Sequence, residues 1–215
     1  MNAVLEAPPI SSGSPSATPA PARKTPAPRP YRWTLKAFSE LAGLTCVRDR
    51  KLFLIDGEIL EVPMANPHHA TSLGLANECI RRAFPPAFHV RNQCALPLNL
   101  DTDPEPDLAV VPGSLRDYAK VHPTPAQVLL VVEVSDTTLA FDLRIRSDLY
   151  AAARIPEYWV IDVNASQLHV FREPIANEAS PRGFRYASVR VLEPTDLVGP
   201  LAAPDSAIFV GDLMP

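Results

Sequence analysis

The stretch Val128–Val134, VLLVVEV, constrains the fold of this chain more than any other. It is almost unbroken in apolar and β-branched residues, the pattern of a strand buried on both faces. Such a strand sits inside a sheet covered on both sides by other elements. Glu133 interrupts the run, and a carboxylate there is costly unless it is paired or bound to a metal. A cation such as Arg144 or Arg146 would serve; so would a divalent metal shared with a second acid.

Helical and extended patterns alternate around this strand. Thr34 is a plausible N-cap for a short helix across Leu35–Leu44 that ends near Gly43. Lys51–Ile55 and Glu58–Val62 flank Asp56-Gly57, a strong hairpin signal. A helix is predicted from Asn66 or Pro67 to Ala83, stopped by Pro85-Pro86 and carrying Leu73, Ala76 and Ile80 near helical spacing. Short strands follow around Phe88–Cys94, Ala95–Leu100 and Leu108–Val111. Leu139–Ala153 reads as a helix, Tyr158–Val163 and Gln167–Phe171 as a second hairpin, and Phe184–Leu192 and Ala207–Val210 as edge strands. This order predicts an α/β fold: a mixed β-sheet flanked by helices, with extra β-hairpins.

Residues 1–30 hold eight of the 25 prolines among Ala, Ser and Thr, a composition that predicts a disordered tail ahead of one domain over residues 31–215. A net charge of −4 is not the footprint of avid, non-specific nucleic-acid binding, although a metal site can engage phosphates locally. Cys46, Cys79 and Cys94 are odd in number and form no C-x-x-C pattern, so reduced thiols are expected. With no signal-like apolar stretch and no membrane-length run, a soluble cytoplasmic protein is expected.

The second acid is Asp107. Glu105-Pro106-Asp107 precedes Leu-Ala-Val-Val, and the proline fixes an extended approach that puts Asp107 at a strand mouth. On the following helix Asp142, Arg146 and Tyr150 share one stripe at i, i+4 and i+8. Arg146 and Asp142 could be a surface ion pair; alternatively Arg146 points back at Glu133 and offers its charge to a phosphate. Arg48, Arg50, Lys51, Arg81, Arg82 and Arg91 are candidates for guiding a phosphate backbone. Trp159 and Phe171 are expected in the core, and Asp162 in a structural role at a strand end.

Several runs in the right order resemble the Uma-type family of restriction-endonuclease-like proteins, part of the PD-(D/E)XK nuclease superfamily. They are LIDGEILEVP from Leu54, PHHA from Pro67, NQCALPLNLDTDPEPDLAVV from Asn92, VLLVVEVSDTTLAFD from Val128 and RSDLYAAARIPEYWVIDV from Arg146. The resemblance spans roughly Tyr31 to Glu173. It implies that Asp107 and Glu133 hold Mg²⁺ or Mn²⁺, with the carbonyl of Val134 as a further ligand. Glu58 would complete the metal cluster or orient a water, and Gln93 would lie near the site. His69 matches a helix-start histidine, for which hydrogen bonding to backbone is the expected role. The position two after the glutamate, lysine in E-x-K, is Ser135. Many family members place a lysine on the next helix instead, where this chain has Arg146. Arginine can neutralise phosphate charge but cannot act as a general base.

The function these residues imply is metal-dependent hydrolysis of phosphodiesters in nucleic acid, with DNA the expected substrate and no membrane partner. The alternative is a catalytically impaired nuclease-fold module that binds nucleic acid or a protein. Oligomeric state stays open, a homodimer being the common arrangement among nucleases that cut both strands.

Overall fold

In the computed structural model the VLLVVEV run becomes β5 (Leu130–Ser135), buried along its whole length. The structure describes residues 29–62 and 66–215, so the tail expected over residues 1–30 lies, apart from Arg29 and Pro30, outside the described residues. Tyr31–Pro215 forms one compact unit.

Before β5 come helix α1 (Leu35–Ala42), strands β1 (Lys51–Ile55) and β2 (Glu58–Val62), helix α2 (Pro67–Ala83), and strands β3 (Phe88–Asn92) and β4 (Leu108–Pro112). After it come α3 (Leu139–Phe141), a π-helical turn (Asp142–Arg146), α4 (Ser147–Ala152), β6 (Glu157–Asp162), β7 (Gln167–Ala176) and β8 (Phe184–Leu192). The central sheet runs β3-β4-β5-β6-β7-β8. Only β5 and β6 are parallel; every other neighbouring pair is antiparallel. The α3–α4 segment is the crossover that a parallel pair requires. The predicted α/β class with a mixed sheet is the fold observed.

Strand alternation sorts the core into two layers. Leu130, Val132 and Val134 of β5, with Leu108 and Val110 of β4, pack on Leu73, Ala76, Ile80 and Ala83 of α2 and on Leu213 near the C-terminus. Val131, Ala109 and Val111 turn the other way, onto Tyr150 and Ala151 of α4, together with Tyr158 and Phe171. Trp159 and Phe171 are core residues, as the sequence suggests.

Local signals explain the boundaries. Thr34 caps α1 by accepting a hydrogen bond from the Ala37 amide. Asn66 caps α2, Pro67 opens it, and Phe84 ends it just before the Pro85-Pro86 pair. The β1–β2 turn needs positive φ at both Asp56 (49°) and Gly57 (74°). A Cβ at Gly57 would also stand 3.1 Å from the Arg32 Cβ.

Three expectations are corrected. Ala95–Leu100 is not a strand: its amides turn back onto their own loop, Leu96 N–H to the Pro104 carbonyl and Leu98 N–H to that of Thr102, both 2.9 Å. Pro97 in its middle has no N–H to give a ladder. Leu139–Ala153 is not one uniform α-helix, because the π-turn interrupts it. The C-terminal strand, β10 (Ile208–Phe209), pairs only with β9 (Leu197–Val198) and is not an edge of the central sheet. No helix among the described residues is long and apolar enough to cross a membrane. The three cysteines are free.

Candidate active site

Asp107 and Glu133 meet where β4 begins and β5 ends. The β4–β5 register pairs Leu108 with Val132, and one further step puts Asp107 opposite Glu133. Both are buried, 5% and 2% exposed. Asp107 Oδ2 accepts from the Val134 amide at 2.9 Å, and the Asp107 amide donates to Glu133 Oε2 at 3.3 Å. Each acid is thus fixed by the other's strand.

Two neighbours hold Asp107 from outside the sheet. Gln93, at φ 45° just past β3, donates its Nε2–H to Asp107 Oδ1 at 3.1 Å, and its amide donates to the Asp107 carbonyl at 3.0 Å. His69 puts its Nε2 at 3.3 Å from the same Oδ1. That nitrogen is buried but lacks hydrogen-bond geometry. This corrects the role expected for His69: its backbone amide answers to Asn66, while its ring faces the acid.

Glu133 is held from the helical side. Tyr150 donates its hydroxyl to Oε1 at 2.8 Å, and the Arg146 guanidinium pairs closely with the same oxygen. Arg146 also lies 3.4 Å from Asp142 Oδ1 and is sandwiched against the rings of Phe53 (5.2 Å) and Phe141 (5.8 Å). Asp142 in turn accepts from the Thr138 hydroxyl at 2.6 Å. Within the π-turn, both Asp142 and Arg146 are buried. The surface ion pair considered from sequence is therefore corrected to a buried one. Burial pushes the Glu133 carboxyl up to about 8 against the pull of Arg146. The same carboxylate drives the Arg146 guanidinium upward despite its own burial. Burial also raises Asp142.

Glu58 does not join this group. It is exposed beside the β1–β2 turn, and its carboxylate pairs with Arg32 at 2.7 Å. The hairpin docks through Phe53 and Ile55, which meet Leu149 of α4. Expecting Glu58 in the metal cluster is corrected on that ground. Among the described residues no set of three or more His, Cys, Asp or Glu side chains is arranged to hold a metal. The acids that converge are Asp107 and Glu133.

A cavity of about 80 Å³ opens beside the pair, with Lys51, His69, Glu105, Asp142 and Arg146 among its walls. It is sized for water or a small ion, so a nucleotide would have to approach at its mouth. Glu105 is a cavity-wall acid not expected there from the sequence. It lies two residues before Asp107, the spacing that returns to one side of an extended chain, and that signal was available. Burial raises its carboxyl while the Lys51 charge opposes the rise.

Of the basic residues considered as guides, Arg91 is buried over the Tyr118 ring and faces His122, and Arg50 is tied to Glu61 at 2.8 Å. Arg82 turns back onto the Glu78 carbonyl. Asp162 accepts from the Asn164 and Ala165 amides at 3.0 Å, a turn-closing role.

The model of the Uma2 family, described as "Putative restriction endonuclease", matches residues 38–208. The fold is similar to the crystal structure of a putative nuclease belonging to DUF820 from Anabaena variabilis. The TM-score is 0.62 over 84% of this chain and 96% of that one, at 17% identity, a likeness that speaks for the fold alone. No curated protein matches the sequence.

Proposed function

The chain belongs to the Uma2 family, "Putative restriction endonuclease", and from that premise we propose that it is a divalent-metal-dependent endonuclease acting on DNA. The observation that carries this reading is the buried Asp107–Glu133 pair, cross-fixed between β4 and β5 and opening on a cavity.

The donors suit Mg²⁺ or Mn²⁺. Carboxylate oxygens are hard ligands, and Mg²⁺ is commonly held by one or two carboxylates with water and phosphate completing its shell. The buried Nε2 of His69, 3.3 Å from Asp107 Oδ1 but making no hydrogen bond, is a further polar atom beside the pair. A bound metal would lower the pKa of a water and relieve charge on the phosphate. Asp107 and Glu133 would hold it, with Gln93 orienting the first and Tyr150 the second. Arg146 neutralises Glu133 and competes with a cation for that carboxylate.

That competition also favours a second reading, a nuclease-fold module that binds nucleic acid without cutting it. Plasmid nicking with Mg²⁺ and with Mn²⁺ separates the two. Wild type should nick, and Asp107→Ala and Glu133→Ala should each lose more than about 100-fold, the scale of removing one electrostatic catalytic group. Wild type that binds DNA yet leaves it intact with either metal would establish the second reading.

A further inference from the structure

We propose that Lys51 supplies the phosphate-contacting positive charge that neither Ser135 nor Arg146 can offer. This rests on the nuclease reading and deepens it.

The position two after Glu133 holds Ser135, which is buried beside the Thr138 hydroxyl at 3.5 Å. Arg146 is 6% exposed, pressed between two carboxylates and two aromatic rings. Turning it toward a substrate would leave Glu133 and Asp142 with only neutral hydrogen-bond donors and no counter-charge in a buried site, which is destabilising. Arg146 is therefore a structural counter-ion to the acids, and the charge for the phosphate has to come from another element.

Lys51 opens β1. Strand alternation puts it on the same side as Phe53 and Ile55, the two residues that dock the hairpin on α4. Phe53 lies against Arg146, so one strand step of about 7 Å back along β1 reaches the cavity wall. Lys51 lines that cavity together with Asp107 and Glu133. It is half-buried, and no ion pair among the described residues engages its ammonium. Its field reaches Glu105.

Lys51 also lines an adjoining groove with Arg48, Gln93 and the Glu61-paired Arg50, alongside Asp49 and Glu105. Lys51 is thus a wall residue of both groove and cavity. A phosphodiester strand lying in the groove would bring its next phosphate to the acid pair. Lysine contacts phosphate as a compact point charge with three donors. When the oxygen of water bonds to phosphorus and the bond to the leaving sugar oxygen breaks, negative charge grows on the non-bridging oxygens. Lys51 would stabilise that charge while keeping its own protons; the attacking water gives up a proton to solvent and the leaving sugar oxygen takes one from it.

The test compares Lys51→Met, Lys51→Arg, Asp107→Ala and Arg116→Ala, an exposed control, with wild type. Nicking rate is read with Mn²⁺, affinity for a short labelled duplex in Ca²⁺ by fluorescence anisotropy, and folding by melting temperature. Lys51→Met should nick about 100-fold more slowly and bind about tenfold more weakly, with an unchanged melting temperature. Lys51→Arg should recover most of both losses, and Arg116→Ala should match wild type. Lys51→Met equal to wild type in both rate and affinity would overturn the assignment. If Asp107→Ala were inactive in the same assay, the nuclease reading would survive that failure. Wild type that neither nicks nor binds would overturn both.

Discussion

Two buried glutamates in one sheet show how a carboxylate's surroundings separate structure from chemistry. Glu157, at the start of β6, is fully buried. Its Oε1 accepts from Arg172 and Trp159, and its Oε2 from the Leu201 amide at 2.7 Å. Protein groups satisfy both oxygens. In Glu133, at the end of β5, Oε1 is similarly engaged, but Oε2 receives only the long 3.3 Å hydrogen bond from Asp107 beside the cavity. A third buried acid, Asp103, is only partly supported: its Oδ1 is buried without a partner, although the Leu96 backbone favours its charged form. Burial, with Glu105 adding to it, lifts its carboxyl from an ordinary 3.8 to about 6. The folded protein therefore holds this proton more tightly than the unfolded chain. The stability Asp103 contributes is complete below about pH 3.8 and is lost as pH rises through about 6. Asp103→Asn should accordingly gain on the order of 2 kcal/mol near pH 8, shrinking toward zero below the unfolded pKa. Urea denaturation at the two pH values checks this, and an equal gain at both would contradict it.

At the scale of elements, the β1–β2 hairpin fixes the helical side of the site. Phe53, 2% exposed, packs on α4 and caps the Arg146 guanidinium. Phe53→Ala should cost about 3 kcal/mol, through the cavity it leaves and the lost cation–π contact. Amides of β1 and β2 should lose exchange protection ahead of those of β4 to β6. A loss below about 1 kcal/mol would mean the hairpin docks by other contacts. The hairpin also shows what was legible in the sequence. Its strands and turn could be read because alternation and Asp56-Gly57 are local signals. Which of its faces turns inward depends on α4, far along the chain. The sequence therefore did not show that Glu58, expected at the site from the family resemblance, points away. Lys51 was expected only among residues guiding a phosphate backbone, and Phe53 was not singled out at all. Asp107 and Glu133 were legible because a carboxylate beside or inside a β-branched strand is conspicuous. The π-turn was not, since a helix with one wider turn keeps nearly the same apolar spacing.

Across the whole molecule, the acid pair occupies one end of the sheet, where β5 finishes, while the Glu157–Arg172 pair closes the other end, where β6 starts. The chain as a whole is acidic, with a net charge of −4. In the groove beside the cavity Arg48, Arg50 and Lys51 alternate with Asp49 and Glu105, and Arg50 is paired with Glu61. Asp107 and Glu133 acting together as a divalent-cation site is the central claim, and melting wild type, Asp107→Ala and Glu133→Gln with and without Mn²⁺ tests it most directly. At Mn²⁺ about a hundredfold above its Kd, wild type should melt about 5 °C or more higher, and neither variant should respond. A wild type indifferent to Mn²⁺, or an Asp107→Ala variant that keeps the full shift, would contradict the account.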